Sequence, residues 1–329
     1  LLSKVTFMHV LRKRFCSILL LLIIPFLFWS CSNRKTSKAS AQSYELIRFE
    51  SIFFDTHPDS LKEVEQRFPY FFPKSYPFSV WVNRRTDTLQ LTLYEQTKSI
   101  SNSDIQDQLN PFIDGLSRVF ENARVPKKVF TITSDVDYNN KVILNDSMVF
   151  IAIDNFLGIN HHMYEGIALY LRQQMELKNL SRELAESFAK NRIELPKDRN
   201  FLAQLIYSGK IQFLKQSILS DYSEDKILGY TADQLAWAMA NEKEIWNFFV
   251  SKELLYSTDP ELIKRFISPA PFSKFYLNID VDSPGQIGQW LGLQIIKAYQ
   301  MREQKSIAQL LSTPYRELFE KSKYKPRRR

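Results

Sequence analysis

The chain has 329 residues, with 44 Lys and Arg against 36 Asp and Glu and a formal charge of +8, a balance that would suit a nucleic-acid partner if it lay on one face. It does not: Lys4, Arg12, Lys13, Arg14, Lys321, Lys323, Lys325, Arg327, Arg328 and Arg329 lie at the two ends, and removing these ten from the 44 leaves 34 basic against 36 acidic groups, so nucleic acid is excluded as an expected partner. Two cysteines and four histidines likewise exclude a disulfide framework and leave little material for thiolate or imidazole chemistry.

The first organised stretch is Phe15–Cys31 (FCSILLLLIIPFLFWSC), an apolar run preceded by Arg12, Lys13 and Arg14 and followed by the polar SNRKTSKAS. That is the layout of an export signal. Its closing Ser30-Cys31 matches a bacterial lipobox, in which the cysteine takes a diacylglyceryl group and becomes the new N-terminus; Phe28 and Trp29 are bulkier than the usual residues there. The competing reading is an uncleaved membrane anchor. Phe15–Trp29 falls short of the roughly 20 apolar residues a spanning helix needs, and Pro25 interrupts it, so lipidation at Cys31 is expected. A start at Met8 rather than Leu1 gives a signal of ordinary length. The expected organisation is a signal over 1–31, a flexible tether over 32–43, a single domain over 44–320 and a solvated basic tail over 321–329.

Tyr44–Phe54 reads as a first strand and Asp59–Phe68 as a short helix. Pro69–Trp81 (PYFFPKSYPFSVW), with three prolines and many rings, reads as an extended loop that packs its aromatics on the core, with a ring-lined groove as the alternative. Helices are expected over Thr86–Ser99 and Asp104–Asn122. Lys128–Ser134, Lys141–Leu144 and Ser147–Ile153 then form the densest β signal. Beyond Asp154 the pattern is helical: Leu180–Arg192, Arg199–Ser220, Thr231–Leu254, capped by Thr231, and Pro284–Met301, started by Ser283-Pro284. The expected fold class is α+β, a small sheet in the N-terminal half followed by a mostly helical C-terminal half.

Catalytic patterns are scarce. After the signal the histidines are His57, His161 and His162; there is no HExxH, no GxSxG, no GxGxxG and no P-loop, and the adjacent His161 and His162 point apart on any regular element. Asp280 and Asp282 lack the further carboxylates of a calcium loop. Glu183 and Glu186 share a helix face while Glu242 and Glu244 do not, and all four read as solvated surface. Gly288 and Gly292 suggest a close helix approach. Tyr230 with Trp237 and Trp246, and Trp290 with Tyr299, read first as core and second as walls of an aromatic groove. No metal or cofactor is implied.

The lipobox, FIAIDNFLG (Phe150–Gly158), GYTADQLAWAMANEKEIWNFFVSKELLYSTD (Gly229–Asp259) and SPGQIGQWLGLQIIKAYQ (Ser283–Gln300) together resemble the GldB family of gliding-motility lipoproteins of Bacteroidetes. The resemblance covers most of the chain after the signal and implies a link to gliding and to type IX secretion, but no biochemical role. It is supplemented by a weaker likeness to zincin-like proteases, which would place the metal helix at Leu180–Arg192; that segment has no histidine, so the likeness implies a zincin-like scaffold without its metal site. Surface-exported lipoproteins of such bacteria resemble one another in an acidic cluster after the cysteine, and SNRKTSKAS has none. The expectation is a lipid-anchored protein of the outer membrane, facing the periplasm, that binds envelope partners without catalysis. The alternatives are a divergent hydrolase using His161 or His162 with carboxylates, and a ligand binder using the aromatic groove.

Overall fold

The computed structural model describes residues 44–326 apart from 121–124, 146 and 279; the signal, the tether and Cys31 lie outside the described residues. β1 (Glu45–Arg48), β2 (Lys128–Ile132), β3 (Val142–Leu144) and β4 (Met148–Ala152) form one sheet in the order β1-β2-β4-β3. β2 runs parallel to β1 (Leu46 opposite Val129) and to β4 (Phe130 opposite Phe150), and β3 closes the edge antiparallel to β4 (Ile143 opposite Phe150). The fold is α+β. Helices nevertheless precede most of the sheet, because the parallel β1–β2 pair needs a crossover, and among the described residues this one holds five α-helices: α1 (Phe49–Asp55), α2 (Leu61–Arg67), α3 (Phe78–Thr86), α4 (Thr88–Thr97) and α5 (Asn102–Val119).

Alternation along the strands sends side chains to two different cores. Val129, Val149 and Ile151 face α5, where Ile105, Leu109, Phe112 and Leu116 recur at helical spacing behind a Ser101/Asp104 capping box. Phe130 and Phe150 stack on the other side and meet Phe68, Phe71 and their neighbours edge to face. That aromatic layer corrects two expectations. The first strand stops at Arg48, because Phe49, Glu50 and Phe53 lie on one helical face and are buried there. Pro69–Trp81 is not one extended loop: it holds a 3₁₀ turn at Pro69–Phe71, and α3 starts at Phe78 with Pro77 at its N-cap, where a missing N–H costs nothing.

After β4 come α6 (Leu169–Arg172), α7 (Leu180–Arg192), α8 (Phe201–Ile218), α9 (Glu224–Leu228), α10 (Ala232–Ala240), α11 (Glu242–Ser251), α12 (Glu261–Phe266), α13 (Ile287–Glu303), α14 (Ile307–Ser312) and α15 (Tyr315–Ser322). α8 is the axis of this half, buried on almost every face and crossing α13 at Gly209 and Gly292. The expected helix over Thr231–Leu254 is two helices, broken at Asn241, whose amide turns back to the Trp237 carbonyl at 2.8 Å. α13 begins at Ile287 rather than Pro284. Ser283 is not its cap: its hydroxyl exchanges hydrogen bonds with Ser273, and the left-handed Gln286 (φ 60°) turns the chain into the helix. At the other end α15 runs through Ser322, past the boundary at 321, and Tyr324 packs on Trp246 and donates to Glu242 at 2.7 Å. Among the described residues no helix is long and apolar enough to cross a membrane.

Candidate functional site, a cation-rich cleft

Helix α7 has two chemically distinct faces. Leu180, Leu184, Ala185, Phe188 and Ala189 enter the core, and the residues between them, Arg182, Glu183, Glu186 and Lys190, border a cleft of about 760 Å³. The opposite wall comes from α8 through Gln212 and Lys215, from the loop before β3 through Lys141, and from the entry to α13 through Gln286 and Gln289. The sheet therefore positions the site: β3 lies along α7 and delivers Lys141 to Glu183 at 3.0 Å.

Two carboxylates are shared by four cations. Glu183 also receives Arg182 at 2.8 Å, and Glu186 bridges Lys190 at 2.8 Å and Lys215 at 3.0 Å. Lys215 is the costly member, its side chain only 2% exposed. Burial pushes its ammonium below the ordinary lysine range while Glu186 pulls it back up. Burial alone would raise Glu186, but Lys215 and Lys190 outweigh it and hold the carboxyl well below its ordinary 4.5. The unfolded chain therefore takes up this proton first as pH falls. The stabilisation from Glu186 is complete above about pH 4.5 and is lost as pH drops through the folded value. Thermal unfolding followed by circular dichroism should show the midpoint of the unchanged protein falling below pH 4.5 more steeply than that of Glu186→Gln; parallel curves would refute the pairing.

Gly229 is part of the same construction. It ends α9 in the left-handed conformation (φ 72°), and a Cβ there would collide with the Arg182 guanidinium, so this glycine permits both the turn and the cation's seat. Beside them Gln212 donates to Gln289 Oε1 at 2.6 Å, while its own Oε1 is buried without a partner.

The zincin likeness can be tested here. Arg182, Glu183 and Glu186 stand at the first, second and fifth positions of an H-E-x-x-H helix, the spacing that brings two imidazoles to one ion. Zinc needs neutral or anionic ligands. Here the first position is a guanidinium and the fifth is neutralised by two ammonium groups, so the residues do not fit a metal. Among the described residues no group of three or more His, Cys, Asp or Glu could hold one.

The other candidate residues lie elsewhere. Of the aromatics, Tyr230 lines the cleft; its hydroxyl donates to the Gly285 carbonyl at 2.9 Å, and burial raises its pKa. Trp290 and Tyr299 are core residues of α13. The Trp290 indole donates to Glu224, which also accepts from Gln294 and pairs with Lys297. Trp237 and Trp246 are half-buried in the C-terminal helical core, with Trp246 against Phe319 and Tyr324, so the five aromatics do not share one groove. His161 faces Gln96 with Nε2 at 3.2 Å and caps the Met163 N–H with Nδ1, and its ring lies 4.5 Å from that of His162. His57 is exposed, its Nδ1 accepting from the Asp59 N–H.

Asp280 caps the N–H groups of Phe275, Tyr276 and Leu277, which accounts for the acidic loop, and Asp282 lies on the surface. Three carboxylates are not the solvated surface that was expected: Glu183 and Glu186 are absorbed in the cleft's ion pairs, and Glu242 is buried under Tyr324 because the last residues fold back over it. Glu244 is exposed. Sequence reasoning missed Lys141, Arg182, Lys190 and Lys215. One signal was available: α8 is apolar nearly all round, so Gln212 and Lys215 on it had to meet polar partners inside.

The described residues thus form an α+β body whose four-stranded sheet borders a cleft of paired charges. Residues 30–326 match the family model described as gliding motility protein GldB, and the chain belongs to that family. No curated protein and no solved structure matches it.

Proposed function

We propose that this chain is a lipid-anchored component of the cell envelope, held through Cys31 in the outer membrane on its periplasmic side, that serves gliding or type IX secretion machinery by binding at the α7–α8 cleft rather than by catalysis. The observation carrying this reading is that the cleft's carboxylates are already tied to cations. Glu186, held far below neutrality between two ammonium groups, is a poor proton acceptor for general-base work at the pH of the envelope. Of His161 and His162, either of which the hydrolase reading would use, His161 spends both ring nitrogens on Gln96 and Met163. The family match begins at residue 30, one before Cys31, which supports treating the cysteine and the folded body as parts of one protein.

Metabolic labelling tests the anchor. Cys31→Ala is expected to abolish palmitate incorporation and release the protein from the membrane fraction, and protease shaving of intact cells should leave the unchanged protein intact; undiminished labelling of the variant would refute lipidation at Cys31. Metal analysis tests the mode of action. Stoichiometric zinc that disappears in a His161→Ala/His162→Ala variant would overturn the non-catalytic reading.

A further inference from the structure

The cleft's charge does not close. Among the described residues lining it, four cations face two carboxylates, a surplus of two positive charges, and three of those cations are largely withdrawn from water: Lys141, Arg182 and Lys215 have side chains 13%, 6% and 2% exposed. Withdrawn charge of one sign is costly unless something of the opposite sign is supplied. An anion would complete the site. A bare anion would not complete all of it, because Gln212 Oε1 is a buried acceptor with no donor, and an oxyanion has no hydrogen to give. The group that reaches it must carry O–H or N–H. Tyr138, Tyr170 and Leu169 add apolar faces to the same cleft, and its roughly 760 Å³ lies within the range of small-ligand sites, about 300–1,000 Å³.

An extended peptide would meet those polar demands too, and the geometry disfavours it. The exposed edge of β3, where a peptide would add as a strand, is already capped by α7: Asn191 Nδ2 donates to the Leu144 carbonyl at 3.0 Å, and Ser187 Oγ reaches the Val142 carbonyl at 3.5 Å. A sugar needs no strand edge. Its hydroxyls satisfy glutamine amides, its C–H faces lie on tyrosine rings, and its charged substituent meets the ammonium and guanidinium groups.

From these contacts we infer that the α7–α8 cleft binds an anionic saccharide, its carboxylate or phosphate seated among Arg182, Lys190 and Lys215 and its hydroxyls on Gln212 and Gln289. The inference rests on the reading of this cleft as a binding site and names its ligand class; it is independent of the anchor.

The test is isothermal titration of the full-length lipoprotein in detergent with trigalacturonate, glucose 6-phosphate, maltotriose, inorganic phosphate and triglutamate. At least one of the two anionic sugars is expected to bind about tenfold or more tighter than maltotriose and than inorganic phosphate, with affinity falling as salt is raised. The two anionic sugars separate a carboxylate source from a phosphate source. Lys190→Gln, at a half-exposed position where folding is not at risk, should weaken that binding about tenfold. Lys321→Gln, far along the chain on the surface of α15, should leave it unchanged. Three results overturn the inference: both anionic sugars binding no better than maltotriose, inorganic phosphate binding as tightly as the better of the two anionic sugars, or triglutamate binding in their place. Consumption of a bound sugar during the titration, seen by chromatography, would support the ligand class while sinking the non-catalytic reading, so the two failures are distinguishable.

Discussion

Glu186→Leu is expected to destabilise the protein by about 3 kcal/mol, measured by urea unfolding, because it strands the ammonium of Lys215 in the interior. The Lys215 side chain is 2% exposed and has Glu186 as its carboxylate partner at 3.0 Å. The reverse substitution is expected to be much milder. In Lys215→Met the remaining Glu186 side chain is 30% exposed and keeps Lys190 at 2.8 Å, so it loses one partner but not its solvation, and a cost of about 1 kcal/mol is expected. The double variant Glu186→Leu/Lys215→Met should recover most of the loss, since two apolar side chains replace a pair whose desolvation nearly cancels its attraction.

The pH dependence gives a second handle on the same variant. In Glu186→Leu only the weaker attraction of Glu183 remains to pull Lys215 back up, so its folded pKa lies lower still while the unfolded value stays at the ordinary 10.5. The unfolded state then binds the extra proton, and stability rises with pH until the unfolded lysine titrates. Glu186→Leu should therefore regain stability between neutral and alkaline pH. Equal costs for the two single variants would show that Lys215 reaches water.

Much of the fold was legible because local signals were strong. The strands β2, β3 and β4 and the helices α5 and α7 stand where β-branched runs and 3.6-residue periodicity put them, and Thr231 caps a true start as expected, whereas α5 begins two residues before the expected Asp104, behind a Ser101 capping box. Expectations failed where tertiary contacts overrode a local reading. Tyr44–Phe54 alternates like a strand, yet its second half is helical because one face can bury Phe49 and Phe53 against Phe72 at the sheet. Ser283-Pro284 is a good helix start by composition, but the serine is worth more to the Ser273 backbone.

The site was less legible than the fold. The carboxylates of α7 were visible at their correct spacing, whereas their partners Lys141 and Lys215 come from 42 residues before and 29 residues after them, distances that no local pattern spans. The absence of histidine on α7 could be read from sequence; that Lys141 and Lys215 come to its carboxylates required the fold.

The second large effect concerns the crossing of α8 and α13, on which the cleft's far wall depends through Gln212 and Gln289. Gly292→Ala is expected to cost about 3 kcal/mol. A methyl group there would lie inside the contact distance of the Leu205 carbonyl, and one at Gly209 would meet the Gly292 backbone in the same way. Both obstacles are backbone atoms of buried helices, which cannot rotate aside as a side chain can, so the helices must separate and the packing of Leu205, Leu291 and Ile295 around them must loosen. Alanine's helix propensity pulls in the opposite direction, by about 1 kcal/mol. The clash outweighs it and sets the sign. Gly288→Ala is the internal comparison: its nearest contacts are the Phe266 carbonyl at 2.8 Å and the Leu205 Cδ2 at 2.9 Å, one of them a methyl that can swing away, so it should cost less than Gly292→Ala. Urea midpoints in the order unchanged protein, Gly288→Ala, Gly292→Ala, from most to least stable, are the expected result; a Gly292→Ala protein as stable as the original would mean that α8 and α13 do not approach this closely.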